Sequence, residues 1–436
     1  MKKFLFTLLF LLLLPAPAKA AYYDFEDYEI NGIIYRVELT EYDKYGPTKA
    51  NGASADLSNA SGSVNIPSSI TYTFEYEVYL GEDDEGYPIF DTRSRSLNCP
   101  VKGISNGYSE EMTSITLPSS IEQEDLNIRG PKLKTATIHG TYLPYGGEDD
   151  PYDMGSEVSV SGPELTSVTF SGTAYSFRAY GDKLTGAHIS GSVKYASLGG
   201  AKLTSVSLPA TLKTLGLSSQ TLTSVSLPSS LLYVYLSGCT SLTSVSLPSS
   251  LQNVNLNSCT NLRSVDASNC SSLPSIDLSG LTALTSVSLP SSLQSLNFSN
   301  CPGLKSITIP EAVTNLSCSG TTRLMSLVWN ARNCSSNSFM YTESIEQVSI
   351  GEEVEVLPYG FARGSKIKSV VVPNSVKTIG ANAFYGCTDL ESVTLGTGIK
   401  NIGDYMFHEC HALSQISLPN SVTRIGNYAF NYCDGL

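Results

Sequence analysis

The chain of 436 residues carries a formal net charge of −13, and only 15% of its residues are charged. An ordinary globular domain is about one-quarter charged, so the low value favours an extracellular β-rich protein whose surface is covered by serine and threonine. The acidic balance argues against a nucleic-acid partner and against attraction to anionic membranes, because both would repel the chain.

Residues 1–20 are typical of a secretory signal peptide. Two lysines precede an apolar run at residues 4–14, which is too short to span a bilayer, and a small-residue cleavage site ends at Ala20. No other run is long and apolar enough to form a membrane helix, so we predict no membrane insertion. We expect cleavage near Ala20 and a mature chain that is secreted or displayed at the cell surface.

Residues 21–110 are predicted to form an N-terminal β-rich cap. Asn31-Gly32 lies between two apolar runs and is the strongest short-range signal for a β-hairpin. Residues 72–80 alternate aromatic and acidic side chains, as an edge or capping strand does. The repeats that follow need a covered first coil, and this region is placed to provide it.

Residues 111–202 contain irregular leucine-rich repeats. Apolar residues recur at offsets 0, 3 and 5 in segments that open at Met112, Leu133, Leu165 and Leu184. An insert from Tyr142 to Gly155 separates the second segment from the third. Inserts of this kind map to loops on one face of a solenoid, often the face that binds.

From residue 203 onward the chain is a regular repeat. The phrase Leu-Thr-Ser-Val-Ser-Leu-Pro opens at Leu203, Leu222, Leu242 and Leu284, and looser copies open at Leu262, Leu304, Leu324, Ile345, Ile367, Leu390 and Leu413. The repeat interval lies between 19 and 23 residues. A fixed period near twenty residues predicts a solenoid, in which each coil packs on its neighbours.

One unit shows how the coil is built. Leu242, Val245 and Leu247 follow the alternation of a short strand with one buried face, and the same spacing recurs nine residues later. Each coil should therefore contribute two strands, whose inward leucines and valines stack into ladders. The predicted fold is a mainly β repeat solenoid, a leucine-rich-repeat or β-solenoid stack of 19–23-residue coils, regular over residues 203–344.

The cysteines also recur at repeat positions. Six of the ten lie at a fixed distance after their opening residue, which is 17 residues for Cys239, Cys259 and Cys301 and 20 residues for Cys387, Cys410 and Cys433. Equivalent positions stack on one another, so we predict inward-facing thiols that act as small apolar residues. A disulfide between adjacent coils, such as Cys239–Cys259, remains the alternative.

No metal site or cofactor is predicted. The chain has no C-x-x-C pair, and we interpret residues 408–411, His-Glu-Cys-His, as a turn whose cysteine belongs to the ladder. Acidic clusters at residues 82–85 and 148–150 lack the spacing of a calcium-binding loop and are interpreted as solvated turns.

Two outward-facing sets of side chains are candidate binding residues. Hydroxyls at offsets 2 and 4 of the first strand should form a flat strip, which is either a solvated face or a binding strip; it includes Ser224, Ser226, Ser244 and Ser246. Tyr233 and Tyr235 lie on the second strand, on the opposite face. Tyrosine is a favoured anchor of protein interfaces.

The last repeats, at residues 345–436, carry a recognisable motif of 22–23 residues. Its consensus, Leu/Ile-x-Ser-Val-x-Leu/Val-Pro-Asn-Ser-Val-x-x-Ile-Gly-x-x-Ala-Phe-x-x-Cys, resembles the BspA-type leucine-rich repeat of bacterial surface proteins. In residues 203–320 a second leucine half replaces the Ile-Gly-x-x-Ala-Phe half, which predicts a more β-solenoid-like middle. The alanine, phenylalanine and cysteine of the motif predict short helical turns in the last repeats. Leu436 opens another unit, so we expect the array to be truncated there.

The resemblance implies adhesion or protein–protein binding at a cell surface, and it brings no catalytic residues. Nucleophile-elbow, zinc-protease, P-loop and dinucleotide-binding motifs do not occur. We therefore predict a non-enzymatic, adhesin-like binding protein whose partner is a protein or glycan on a host or neighbouring cell. Two alternatives are a structural spacer that presents a missing C-terminal domain and, with no positive support, a glycan-active enzyme.

Overall fold

The fold is known from a computed structural model. It describes residues 24–39, 42–43, 46–47, 50–82, 88–142, 156–335 and 343–436. The signal-peptide region, all of the acidic clusters except Glu82, and most of the predicted insert lie outside these residues. Within the described residues the chain forms strands and turns and no helix.

The N-terminal region contributes eight strands, and the repeats contribute thirty. The first group is β1 (Asp24–Ile30), β2 (Ile33–Leu39), β3 (Tyr42–Asp43), β4 (Gly46–Pro47), β5 (Ala50–Asp56), β6 (Ser61–Asn65), β7 (Ser69–Glu82) and β8 (Pro88–Asn106). The irregular repeats form β9 (Glu111–Leu117), β10 (Glu122–Gln123), β11 (Leu126–Arg129), β12 (Thr135–Ile138), β13 (Thr141–Tyr142), β14 (Glu157–Ser161), β15 (Ser167–Phe170), β16 (Thr173–Tyr180), β17 (Gly186–Ile189) and β18 (Ser192–Gly199).

The regular repeats form strands of two to five residues. They are β19 (Ser205–Ser207), β20 (Thr214–Ser218), β21 (Tyr233–Tyr235), β22 (Ser244–Ser246), β23 (Asn253–Asn255), β24 (Ser264–Asp266), β25 (Ser275–Asp277), β26 (Ser286–Ser288), β27 (Ser295–Asn297), β28 (Ser306–Ile309), β29 (Asn315–Ser317), β30 (Ser326–Trp329), β31 (Gln347–Ile350), β32 (Val356–Leu357), β33 (Ser369–Val372), β34 (Thr378–Ile379), β35 (Ser392–Leu395), β36 (Asn401–Ile402), β37 (Gln415–Ser417) and β38 (Arg424–Ile425).

The strands stack as a solenoid of about 15 turns. The first strand of each coil lies on one side, which we call the first face, and the second strand lies on the other, the second face. Strands of adjacent coils pair in parallel and in register, so that Val245 faces Val265 and Val265 faces Val287. In-register pairing places equivalent residues of successive coils above one another, which confirms the predicted solenoid.

The inward ladders form one continuous apolar core. Leu242, Val245 and Leu247 are buried, whereas Ser246 between them is exposed. In the last repeats a phenylalanine ladder continues the core, with Phe384 and Phe407 stacked at 5.4 Å between ring centroids. Each coil thus buries its apolar residues against the next coil, which is why the stack and not the coil is the stable unit.

The predicted short helical turns are wrong. In the last repeats the N–H groups of Phe384 and Gly386 donate to the carbonyls of Met406 and His408 in the next coil, at 3.0 and 2.8 Å. These donors are therefore used between coils and not along a helix. Asn382 and Gly386 also have φ values of 58° and 71°, and such left-handed residues interrupt a right-handed helix. The segment is a series of turns.

The pairing on each face is interrupted, and the interruptions alternate between the faces. On the first face the sheets are β6 to β19, then β22-β24-β26, β28-β30-β31 and β33-β35-β37. On the second face they run from β10 to β23, then β25-β27-β29, β32-β34 and β36-β38. Wherever pairing stops on one face, the same coils are paired on the other. The coil that opens at Leu222 forms no first strand, at the point where the interval changes from 19 to 20 residues.

The N-terminal region forms a five-stranded sheet in the order β1-β2-β5-β8-β7. β1 and β2 make the hairpin that Asn31-Gly32 predicts, and both turn residues have positive φ values of 52° and 80°. β6 joins the first face by pairing with β9. The N-terminal region is therefore joined to the first coils through β6, which lies between β5 and β7 in the chain but belongs to the sheet of the first face.

Candidate binding surface

Four exposed tyrosines lie on the second face. Tyr180, Tyr195, Tyr233 and Tyr235 are 45%, 39%, 37% and 41% exposed. They come from β16, β18 and β21, in which the alternate residues point into the core. Together with the half-buried Tyr175 they define what we call the tyrosine face. Sequence reasoning identified only the pair in β21, because the earlier tyrosines lie in irregular repeats whose register the sequence leaves open.

Strand register sets the spacing of these rings. Thr214 pairs with Tyr195 on one side and with Tyr233 on the other, so the two tyrosines lie two coils apart in one column. Two steps between parallel strands amount to about 10 Å. The tyrosines therefore repeat along the solenoid axis at intervals of whole coils.

Local contacts orient several of the rings. Tyr175 and Tyr195 lie 4.8 Å apart between ring centroids, and the Lys194 ammonium lies 5.5 Å from the centroid of Tyr175. The Tyr233 hydroxyl donates to Oε1 of Gln252 in the next coil at 3.0 Å. These contacts reduce the rotamer freedom that the side chains would lose on binding a partner.

Gly199 makes room for the ring of Tyr180. A Cβ atom at Gly199 would lie 2.7 Å from a ring carbon of Tyr180, which is closer than van der Waals contact allows. The ring therefore covers the backbone of the neighbouring strand, and the exposed part of the ring faces solvent.

The predicted serine strip lies on the other side of the molecule. Ser224, Ser226, Ser244 and Ser246 are all exposed on the first face. The predicted binding residues therefore do not form one site, because Tyr233 and Tyr235 occupy the second face. The strip is also interrupted, since Ser224 and Ser226 lie in the coil that forms no first strand.

A groove opens on the first face between β26 and β28, which are not paired. Its volume is about 530 Å³, and its lining includes the half-buried Val287 and Leu289 and the carboxylates of Glu311, Glu352 and Glu353. Arg332 bridges Glu311 and Glu353 at 3.0 Å each. Sequence reasoning missed the groove, because Val287 and Leu289 occupy ladder positions and would be buried in a continuous sheet.

The cysteines of the repeats lie where equivalent positions stack. The thiols of Cys239, Cys259, Cys301, Cys387 and Cys410 are buried, that of Cys433 is half-buried, and all are free. His408 is buried against Tyr385, at 4.9 Å between ring centroids, and His411 pairs with Asp434 at 2.7 Å. The two histidines of the 408–411 turn thus have separate surroundings.

The repeat sequence itself decides the family. The BspA type leucine-rich repeat region matches residues 192–296, 217–320 and 332–436, in six copies. These matches cover more than half of the chain. The chain belongs to the BspA-type leucine-rich repeat family. Proteins of this family are typically surface-associated binding proteins and generally non-enzymatic.

Solved structures similar to this BspA-type protein include bacterial leucine-rich repeat proteins. One from Bacteroides ovatus is 22% identical, with 94% of this chain and 93% of that chain covered and a TM-score of 0.46. One from Eubacterium ventriosum is 21% identical, covering 68% and 89%, with a TM-score of 0.35. A leucine-rich cell surface protein from Faecalibacterium prausnitzii is 15% identical, covering 90% and 94%, with a TM-score of 0.26. No curated protein sequence matches the chain.

Among the described residues, no three histidine, cysteine or acidic side chains are grouped so that they could hold a metal ion. No helix suited to crossing a membrane occurs in the part of the chain that the structure describes.

Proposed function

We propose that this BspA-type protein is exported and binds a macromolecule on a host or neighbouring cell through the tyrosine face. The observation that carries the proposal is the set of exposed tyrosines, repeated in register on one side of a rigid stack. Tyrosine buries a large area at low entropic cost and anchors many interfaces. The family's typical role as a binding protein supports the same reading.

The size of the face indicates how it would contribute to binding. From β16 to β23 it spans five strands, or about 19 Å, and its columns spread over about 16 Å along the strands. This is smaller than the roughly 800 Å² that each partner buries in a stable interface. The tyrosines therefore fit the centre of an interface, and the surrounding serine, threonine and asparagine residues of the second face fit its polar rim.

The proposal predicts that the tyrosines carry most of the affinity. Secreted and purified residues 21–436 would be tested on arrays of matrix proteins, mucins and glycans. The double variant Tyr233→Ser/Tyr235→Ser should weaken saturable binding at least about tenfold, since tenfold corresponds to about 1.4 kcal/mol and a single interface anchor contributes roughly 2 kcal/mol. Thermal unfolding would show that the variant is folded.

The matched control is the double variant Ser244→Ala/Ser246→Ala, which changes exposed side chains on the opposite face. It should bind like the wild type. Loss of binding in the serine variant, with binding intact in the tyrosine variant, would move the site to the first face. Unchanged binding in both variants would reject the tyrosine face as the site.

Export is part of the proposal and rests on the signal-peptide pattern of residues 1–20. Expression of the full chain in a bacterial host should yield a processed protein outside the cytoplasm whose N-terminus follows Ala20. An unprocessed chain retained inside the cell would contradict this part of the proposal and leave the binding surface as a separate question.

A further inference from the structure

We propose that the tyrosine face selects an acidic polysaccharide, a glycan chain whose sugars carry carboxylate or sulfate groups. This inference rests on the proposed function and names the chemical class of the partner. It is carried by the distribution of charge around the tyrosines, by the presentation of the rings and by the spacing of the cations.

Three residues of the tyrosine face, Tyr195, Tyr233 and Tyr235, lie in an acid-free segment of an acidic protein, and Tyr175 and Tyr180 precede that segment. The chain has 40 aspartate and glutamate residues against 27 lysine and arginine residues. Residues 183–265 contain no aspartate or glutamate at all, while five cations fall within them: Lys183, Lys194, Lys202, Lys213 and Arg263. The surface that presents Tyr195, Tyr233 and Tyr235 is therefore locally basic, although the molecule as a whole is negative.

Two of these cations lie on the tyrosine face itself. The N–H of Lys213 donates to the carbonyl of Lys194 at 2.8 Å, so the two lysines occupy the same position in adjacent coils. Both side chains are exposed, and their backbones are about 4.8 Å apart. In the preceding coil the same column holds Tyr175. The column thus passes from an aromatic ring to two ammonium groups along the solenoid axis.

The density of cations favours a polymer with widely spaced charges. A nucleic-acid strand carries one phosphate per about 3.4 Å, so about five or six phosphates would cross the face. Only Lys194, Lys213 and Arg178 are there to meet them, and Arg178 is already paired with Glu157 at 3.2 Å. Beyond the tyrosine face in either direction, the nucleic-acid strand would meet acidic residues of the protein. A polysaccharide with one acidic group for every one or two sugars needs fewer cations and fits this surface.

The rings suit the uncharged parts of such a polymer. The faces of an aromatic ring are electron-rich and attract the polarised C–H groups of a sugar ring. Tyr180 is held over Gly199, and Tyr195 and Tyr233 lie two coils apart in one column. A glycan that runs along the solenoid axis would therefore contact both aromatic rings and lysine ammonium groups as it crosses the coils from β16 to β21. Polar side chains of the same column, namely the half-exposed Thr214 between Tyr195 and Tyr233 and the exposed Asn253 beyond Tyr233, can pair with sugar hydroxyls.

The test uses residues 21–436 with three immobilised polymers, namely polygalacturonate, chondroitin sulfate and neutral dextran. We expect saturable binding to at least one acidic polymer and none to dextran. Binding should weaken as salt rises, with a shallow slope that corresponds to about two neutralised charges. The double variant Lys194→Gln/Lys213→Gln should lose at least about tenfold in affinity, and Tyr233→Ser/Tyr235→Ser a similar factor.

The control for charge is Lys202→Gln, which removes one exposed lysine of the same acid-free segment from a turn outside the strands of the face. It should bind almost like the wild type. Equal losses in Lys202→Gln and in the double lysine variant would mean that binding follows net charge and not the face, which would overturn the inference. Equally tight binding of single-stranded DNA would overturn it as well.

The remaining outcomes separate the inference from the proposed function. Tyrosine-dependent binding to a protein, with no acidic polymer bound, would reject the polysaccharide and leave the function intact. Equal binding of dextran would reject the role of charge. A folded protein that binds nothing on the glycan and protein arrays would reject both the inference and the tyrosine face as a binding surface.

Discussion

At the scale of single residues, the cysteines do more than fill space. The thiol of Cys259 donates to the carbonyl of Leu236 at 3.1 Å, and that of Cys410 donates to Phe384 at 3.2 Å. Each thiol thus satisfies a carbonyl in the preceding coil. In the coil that opens at Leu203, which has no cysteine there, Ser219 instead donates to the carbonyl of Leu203 in its own coil at 2.7 Å. The sequence predicts the inward position from its period, but the hydrogen bond appears only when the coils are stacked.

Burial of these thiols predicts an alkaline loss of stability. It raises the pKa of Cys259 to about 12 and that of Cys301 to about 11. A thiol in the unfolded chain ionises at about pH 8.5. Between that pH and the folded pKa, the thiol is ionised only in the unfolded chain, so unfolding releases protons. The free energy of unfolding therefore falls as pH rises through this interval. The contribution is fully present below about pH 8.5. Urea unfolding at about pH 8 and about pH 10 would measure the loss.

Tyrosines titrate in the same interval, so a variant is needed to isolate the thiols. Burial raises the pKa of Tyr35 and of Tyr142 and acts in the same direction. The double variant Cys259→Ala/Cys301→Ala should be less stable at neutral pH and lose less further stability on going to alkaline pH. An identical alkaline loss in variant and wild type would show that these thiols are not its source.

The inward and outward positions of one strand should differ sharply in energy. Leu247 is 6% exposed and belongs to the core ladder, so Leu247→Ala should lower the free energy of unfolding by roughly 2–5 kcal/mol. Ser246 points to solvent, so Ser246→Ala should change the free energy of unfolding by less than about 0.5 kcal/mol. Chemical denaturation of both variants measures the difference, and equal effects would contradict the assigned faces.

At the scale of strands and turns, contact between coils overrides local preference. The Ala-x-x-x-Cys segments favour a helical turn when considered alone, yet their donors pair with the neighbouring coil. A single sequence shows the apolar period, but it does not show whether the N–H groups of a short segment bond along a helical turn or to the neighbouring coil. For the same reason the alternation of strands predicts two ladders, whereas the missing first strand after Leu222 and the groove beside β26 could not be predicted.

Two glycines of one coil should respond differently to an added methyl group. A Cβ at Gly191 would lie 1.9 Å from the carbonyl oxygen of Gly172, which is backbone and cannot yield cheaply. Gly191→Ala should therefore cost about 1–3 kcal/mol or more. A Cβ at Gly199 meets the exposed ring of Tyr180, which can rotate away, so Gly199→Ala should cost less than about 1 kcal/mol.

Thermal unfolding and partner binding together check this pair. Gly199→Ala should unfold near the wild-type temperature but bind more weakly, because the displaced ring belongs to the tyrosine face. Gly191→Ala should show the opposite, a lower unfolding temperature and unchanged affinity at a temperature where it remains folded. A Gly199→Ala variant with full affinity would indicate that Tyr180 takes no part in binding.

At the scale of the whole molecule, the period is sufficient to predict a mainly β stack, and the resemblance of the last repeats to the BspA-type motif indicates the family. The candidate site is less predictable, because it depends on which tyrosines share a face. Tyr180 and Tyr195 are separated from Tyr233 by 53 and 38 positions, and only the strand register brings them together. The locally basic surface could have been read from the acid-free segment, but its meaning depends on finding the tyrosines beside it.

The alternating interruptions have a mechanical consequence. Because the unpaired junctions of the two faces are staggered along the axis, a separation that starts at one face does not continue straight through to the other. In this protein each unpaired junction on one face is bridged by paired strands on the other, as β25-β27-β29 bridge the junction between β26 and β28. Among the described strands from β9 to β38, every junction between adjacent coils has strand pairing on at least one face. A force applied along the array is therefore opposed at each of these junctions by strand pairing on at least one face.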